Sequence, residues 1–280
     1  MSSPTTTDDQ PRRSRPILST TLTGASGLGL GVTMLWFSLL VLIPLAAVIA
    51  TAAAGGWEGF WREVTSPQTA HAIRLTVTAS AAVTLLNVVT GTVIAWVLVR
   101  DDFPGKNVLN VLIDVPFALP TIVAGLVLVS LYGANSPLGL QLSNSAASVY
   151  LAFAFVTLPF VVRAVQPVLE ELDTDVEEAA ASLGASRLTT FRRILLPSLA
   201  PAIAAGAALS FARGVSEYGS LVLLSGNLPF RSEVTSVRIL SAIENDNPAG
   251  AAATATVLLV VSFAVIVILD IIQRRVARRG

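Results

Sequence analysis

The sequence predicts an all-α membrane protein with six transmembrane helices, and three observations carry that prediction. Of 280 residues, 53% are hydrophobic and 13% charged, against about 25% charged in ordinary soluble domains; mean hydropathy is +0.72. The apolar residues gather into six runs, at about 28–54, 75–99, 108–133, 148–169, 199–225 and 249–272. At about 1.5 Å per residue each run can cross a hydrocarbon core of roughly 30 Å. Third, the basic residues between the runs fall mostly on one side of the implied barrier.

Each element has its own justification. Residues 1–27 are rich in Ser, Thr, Pro and Gly, with Arg12, Arg13 and Arg15 their positive charges; this is the composition of a disordered tail. From Leu28 to Ala54 no charged residue appears. That run is longer than the roughly 7–15 residues of a signal-peptide core, so a retained helix is expected. A polar connection over 55–74 follows, flanked by Trp57 and Trp61 as interfacial aromatics often flank a span. The second span, Leu75 to Val99, ends before Pro104 and Gly105, which mark a turn. The third carries Asp114, Pro116 and Pro120. Its prolines should kink or unwind it, and broken backbone at membrane depth is tolerated only against protein or a water-filled cavity. The span is therefore expected beside a polar path.

An uncharged, turn-rich loop at 134–147 leads to the fourth span, Ser148 to Leu169, whose Arg163 is expected to snorkel to the interface. The fifth span, Leu199 to Ser225, holds Arg213 and Glu217, which at i, i+4 share a helix face and can pair. Ionisable groups at membrane depth cost at least a few kcal/mol, so a buried partner or a function is the default expectation. A structural ion pair and a role along the path both remain open. A polar connection, a last span from Ala249 to about Ile272 and a basic tail over 273–280 complete the chain.

Six spans place both ends on one side, and with them lie 12 of the 18 basic residues against 4 opposite, Arg62, Arg74, Arg231 and Arg238. The positive-inside rule thus puts both termini and the segment 170–198 in the cytoplasm. Cysteine is absent, which excludes disulfides, thiolate metal sites and cysteine nucleophiles; His71, the only histidine, lies in the first polar connection. No metal site and no catalytic residue are expected.

Residues 170–198 form the only long polar segment between apolar runs. Thr174 and Glu177 have the spacing of a capping box opening a helix at Asp175. Val176, Ala179, Ala180 and Leu183 then share a face. Gly184 stands where a helix end needs a left-handed residue, and Ser186 can cap a second short helix carrying Leu188, Phe191 and Leu195 before Pro197 halts it. A surface helix with exposed alanines lets another protein approach closely, as in docking into a groove.

The spacing E-A-A, three residues, G, nine residues, I-x-L-P occurs here as Glu178, Ala179, Ala180, Gly184, Ile194, Leu196 and Pro197. It resembles the cytoplasmic loop by which permease subunits of binding-protein-dependent ABC importers engage their ATPase. Three further strings, Phe103 to Gly133, Leu158 to Asp173 and Phe211 to Pro229, resemble the T-type permease subunit of the sulfate/thiosulfate importer, over about residues 30–275. Within the last string, Glu217 to Ser220 and Gly226 to Pro229 are shared more widely among sulfate and molybdate permeases. Asn107, after Lys106, departs from the basic residue often found there.

The resemblance implies a type I ABC importer permease fold in a bacterial inner membrane. It implies a second permease as heterodimer partner, two ATPase subunits and an extracytoplasmic sulfate-binding protein, and no nucleic acid. ATP and Mg would belong to the partner ATPase, since this chain has no G-x-x-x-x-G-K-S/T loop. Glu178 would meet the ATPase, Ala179 and Ala180 would permit close packing, and Gly184 would set the corner; Gly184→Asp is expected to insert normally yet abolish coupled uptake. Arg213, Glu217, Pro116 and Pro120 are the candidates for the translocation path or gate, with Arg213 easing an oxyanion along and Glu217 preventing its capture. The alternatives are a molybdate or tungstate permease, or, from another class, a stand-alone channel or secondary anion carrier. A carrier would be expected to show an inverted repeat and several intramembrane acids. A membrane enzyme fits least, for lack of a cysteine, an intramembrane histidine or paired carboxylates.

Overall fold

The structure, a computed structural model, describes residues 24–277, and among the described residues every regular element is helical. Most of the tail expected over 1–27, and the end of the basic tail, lie outside the described residues. Residues 24–27 and 273–277 prove to be helical. Contacts divide the chain into two units, Met1–Ala46 and Ala47–Gly280. The first contains α1 (Gly24–Phe37), a π-helical turn (Ser38–Leu42) and the start of α2 (Ile43–Ala53). Its large apolar side chains, Leu28, Leu35 and Leu40 among them, are exposed, as lipid-facing residues would be.

The second unit continues with α3 (Gly56–Val64), α4 (Pro67–Arg100), α5 (Lys106–Ala118), α6 (Thr121–Tyr132) and α7 (Ala146–Glu171). Then come α8 (Thr174–Ser182), α9 (Arg187–Thr190), a second π turn (Phe191–Leu195), α10 (Leu196–Val215), α11 (Gly219–Leu224), α12 (Thr235–Glu244) and α13 (Pro248–Ala277). Five helical stretches are long and apolar enough to cross a membrane: Ser26–Ala53, Pro67–Arg100, Ala146–Glu171, Arg187–Val215 and Pro248–Arg275. The sixth expected span is the pair α5 and α6, bent by 116°.

The bend has a local cause. Pro116 sits inside α5, which runs on to Ala118, so that proline does not break the helix. The break comes at Leu119 and Pro120: the residue before a proline is pushed out of the helical region, and Leu119 is extended (φ −83, ψ 133). Pro120 then opens α6, whose first amides it serves through its carbonyl.

Several boundaries differ from the expected spans. The second begins at Pro67, with Ser66 capping the Thr69 amide, and since α3 occupies Gly56–Val64 most of the connection 55–74, His71 included, is helical. The fifth begins at Arg187 and ends at Val215, with Glu217 outside it. Pro197 does not halt the helix: the preceding π turn widens the ladder, with Leu196 N–H bonded to the Phe191 carbonyl five residues back. Widening moves away the carbonyl against which a proline ring would otherwise clash. Pro44 follows the first π turn in the same register, where Ile43 bonds back to Ser38.

Helix α7 is the mast of this unit. It contributes Val149, Ala152 and Phe153 to one apolar core with α4, α6, α11 and α12, and Val161, Val162, Val165 and Leu169 to another with α4, α5 and α10. Glycines let its neighbours close in: a Cβ at Gly91 of α4 would come within 2.9 Å of Val161, and one at Gly206 of α10 within 3.0 Å of the same residue's Cα. Small residues at such crossings are the usual means of packing helices in lipid. Asn87 of α4 donates to Thr157 of α7 at 2.8 Å, a buried link between two spans.

Candidate functional site

The polar segment folds into two helical limbs meeting at a corner. Asp173, not Thr174, caps α8, its carboxylate accepting from the Asp175 amide at 3.0 Å. The capping-box reading therefore fails by one residue, because a carboxylate already stands at the cap and Glu177 is engaged elsewhere. At the far end Gly184 has φ +81; its amide bonds to Ala181 and that of Ala185 to Ala180, at 2.9 and 3.0 Å. This pair of bonds is a Schellman motif, and it needs a left-handed residue at the corner. Ser186 caps the second limb through the Thr189 amide.

Of the apolar face expected on α8, Ala180 is buried against the protein while Val176, Ala179 and Leu183 are exposed, Leu183 at 88%. Glu178 is exposed beside them, and Leu188 is exposed on the second limb. Ile194 lies half-buried in the π turn, and Leu196 and Pro197 are exposed at the start of α10. The seven motif residues thus span the exposed corner and the helix that carries it into the apolar unit.

The last turn of α4 reaches this hook. Arg100 donates to Glu177 at 3.0 Å and to the Leu172 carbonyl at 2.9 Å, and the Trp96 ring meets Phe191 edge-on at 5.8 Å. A cleft of about 680 Å³ lies alongside, with Trp96, Arg100, Glu178, Leu188 and Phe191 among its walls. The sequence reading missed both α4 residues. In the sequence Arg100 is only one of the 12 basic residues on the side of the termini.

The second assembly lies at the break between α10 and α11. Arg213 and Glu217 do pair, at 2.6 Å, but not along one helix, since α10 ends at Val215. The Glu217 side chain is wholly buried, whereas that of Arg213 keeps 26% of its surface exposed. The second carboxylate oxygen of Glu217 accepts from both the amide and the hydroxyl of Ser220, at 2.8 Å each, so this one side chain neutralises Arg213 and caps α11. One oxygen of this buried carboxylate is hydrogen-bonded and the other is met by the Arg213 charge, which together offset the cost of leaving water.

Neighbouring glycines bring the two broken spans together. A Cβ on Gly219 would strike Thr121 and approach the Ile122 amide to 2.9 Å; one on Gly125 would approach the Ser220 Cα to 2.9 Å. Pro120, next to Thr121, therefore lies at the same crossing as the Glu217 to Ser220 turn, while Pro116 lies back along α5. Gly219, Gly125 and Thr121 carry no individual signal in the sequence, although all of them, and Ser220, sit within the strings that carry the resemblance.

Arg163, expected to snorkel to the interface, is paired with α5. It makes a two-pronged bond to Asp114 at 2.7 and 2.6 Å, and further bonds to the Asn110 side chain and carbonyl and to Gln166. A planar guanidinium fits this fork, and the partners on α5 give it a better end than the interface would. His71 in α4 lies edge-on to Phe230 at 6.0 Å. Among the described residues no group of three or more His, Asp or Glu side chains could hold a metal ion.

Residues 87–279 match the family described as binding-protein-dependent transport system inner membrane component. The sulfate transport system permease protein CysT of Salmonella typhimurium is 40% identical over 259 residues, spanning 90% of this chain and 94% of that protein. The protein of the same name from Synechocystis is 42% identical over 250 residues, 87% of either chain. Among solved structures, a bacterial alginate ABC transporter in complex with an alginate-pentasaccharide-bound periplasmic protein superposes with a TM-score of 0.74 at 17% identity, over 89% of this chain and 94% of that one. An inward-facing MetNI methionine ABC transporter gives 0.54 at 18% identity, over 76% and 99%. With this match, these relatives and this fold, the chain belongs to the family of inner-membrane permease components of binding-protein-dependent ABC transport systems.

Proposed function

We propose that this chain is a permease subunit of an ATP-driven importer for sulfate and thiosulfate, coupled to its ATPases through residues 170–198. The observation that carries the coupling is the exposed apolar corner: Val176, Ala179, Leu183 and Leu188 are left in the open around Gly184, on a hook too polar to lie in lipid. Exposed apolar side chains gathered on a short helix call for a partner's groove. The substrate rests on the relatives, which carry the name of sulfate permeases across nearly their whole length.

In this reading a second permease completes the path, two ATPase subunits bind ATP and Mg, and an extracytoplasmic protein delivers the anion. The 12 to 4 distribution of basic residues supports a cytoplasmic location for the hook and both termini. Glu178 and Ala179 meet the ATPase, Ala180 packs the hook inward, and Ile194, Leu196 and Pro197 join it to α10. Closure of the ATPases pushes the hook, and α10, continuous with it through the π turn, moves with it. At the other end of α10 the Arg213 and Glu217 pair with the Pro120 crossing forms the candidate path or gate. Arg213 attracts an oxyanion there, and Glu217 keeps the site from holding it.

The test is labelled sulfate uptake by cells with and without this gene, with excess molybdate as competitor, together with co-purification of ATPase subunits. Loss of sulfate uptake on deletion and its recovery with the intact chain support the proposal. Uptake that molybdate abolishes at low concentration moves the substrate to molybdate or tungstate. A chain that transports without any ATPase partner is a channel or secondary carrier, and the coupling assignment falls.

A further inference from the structure

We propose that the last turn of α4 is a positioning element for coupling, in which Arg100 and Trp96 grip the two limbs of the hook and carry its displacement into α4 and α7. This inference rests on the coupling reading of residues 170–198.

Arg100 and Trp96 are four residues apart, so they lie on one face of α4 one turn from each other. Each holds a different limb: Arg100 bonds to Glu177 of α8 at 3.0 Å, and Trp96 meets Phe191 of the π turn at 5.8 Å. Arg100 also bonds at 2.9 Å to the carbonyl of Leu172, the C-terminal cap of α7. That carbonyl belongs to the set a helix end leaves unpaired, and a cation is favoured there by the helix dipole. One guanidinium thus joins the ends of α4 and α7 to the middle of α8.

Apart from these contacts α8 is held by its buried Ala180 and by the chain, through Leu172 and Asp173 at one end and the Gly184 corner at the other. The cleft of about 680 Å³ between the end of α4 and the hook means that no continuous packed face substitutes for the grip. The ion pair is mostly shielded, with 14% and 23% of the two side chains exposed, so it resists loosening by water and salt better than a surface pair. A hook gripped on both limbs moves with α4 and α7; a hook left with one small buried side chain and its chain ends follows them more loosely.

The experiment uses the whole importer, reconstituted in liposomes, and reads anion uptake and ATP hydrolysis together. Arg100→Ala and Trp96→Ala should still co-purify with the ATPases and still hydrolyse ATP, while uptake per ATP falls at least tenfold. Arg100→Lys, whose ammonium nitrogen stands one bond nearer the backbone than the guanidinium nitrogen that meets both Glu177 and the Leu172 carbonyl, should lower the same ratio in a normally inserted chain. The charge exchange Arg100→Glu with Glu177→Arg should recover part of the uptake per ATP that either reversal alone loses, since a carboxylate at 100 cannot bond to the Leu172 carbonyl. An unchanged ratio in all three single variants, or an exchange no better than its parts, overturns the proposal. If the unaltered chain holds no ATPase, the coupling reading itself fails.

Discussion

Gly184→Ala should weaken coupled uptake through backbone strain alone. The corner residue has φ +81, and a Cβ built there meets no heavy atom within 4 Å. No clash therefore contributes, and the cost is that of a left-handed L-residue, about 1–2 kcal/mol. At about 1.4 kcal/mol per tenfold, that lowers the population of the Schellman corner by roughly 5–30-fold. Asn tolerates the left-handed region and should retain most of the uptake, whereas Val, β-branched, should fall below Ala. Asp shares the tolerance of Asn but adds a negative charge to a hook already holding Asp173, Asp175, Glu177 and Glu178, so its loss is one of docking rather than of fold. The assay is initial uptake at matched membrane abundance, with co-purified ATPase measured in parallel. Asn as damaging as Ala would refute the strain argument and show that a partner's close approach demands the glycine.

Three other perturbations test the membrane-embedded contacts. Gly219→Ala drives a methyl into Thr121 and the Ile122 amide; overpacking of that kind costs about 1–3 kcal/mol, which thermal unfolding in detergent should register as a lower midpoint. Glu217→Gln can still accept from Ser220 but leaves Arg213 uncompensated, so the chain should insert normally with uptake roughly tenfold lower, the effect of about 1.4 kcal/mol; Glu217→Ala, which also uncaps α11, should accumulate poorly as well. Arg163→Met leaves Asp114 without its forked partner and should cost roughly 1–3 kcal/mol; the double variant Arg163→Met with Asp114→Leu should recover thermal stability, because a paired apolar substitution removes the stranded charge.

The hook was legible in the sequence because its determinants are local. Gly184 needs only its own φ, and Ser186 needs only the Thr189 amide three residues on. Its cap was misplaced by one residue for the opposite reason. Glu177 looked free to complete a capping box, but Arg100, 77 positions away, claims it. The broken third span was legible from Pro116 and Pro120, yet which proline breaks it was not, since Pro116 is carried inside a continuing helix. The fifth span is shorter than its apolar run: from Leu199 to Ser225 only the short polar interruption around Ser216 and Glu217 marks the stop at Val215, and hydropathy alone carries across it. The stop is set by Glu217 turning to meet both Arg213 and Ser220.

By itself the sequence determined that this is a helical membrane protein with a polar hook between its fourth and fifth spans, because hydropathy, charge bias and helix caps act over a few residues or by simple sums. Only the tertiary structure decided the partners of its charges. Arg163 on Asp114, Arg100 on Glu177 and the Leu172 carbonyl, and the crossing of Gly125 and Gly219 depend on which helices lie side by side. In a chain whose apolar runs have similar composition, that adjacency is set by the fit of small residues and buried polar groups across spans, which no single stretch of sequence contains.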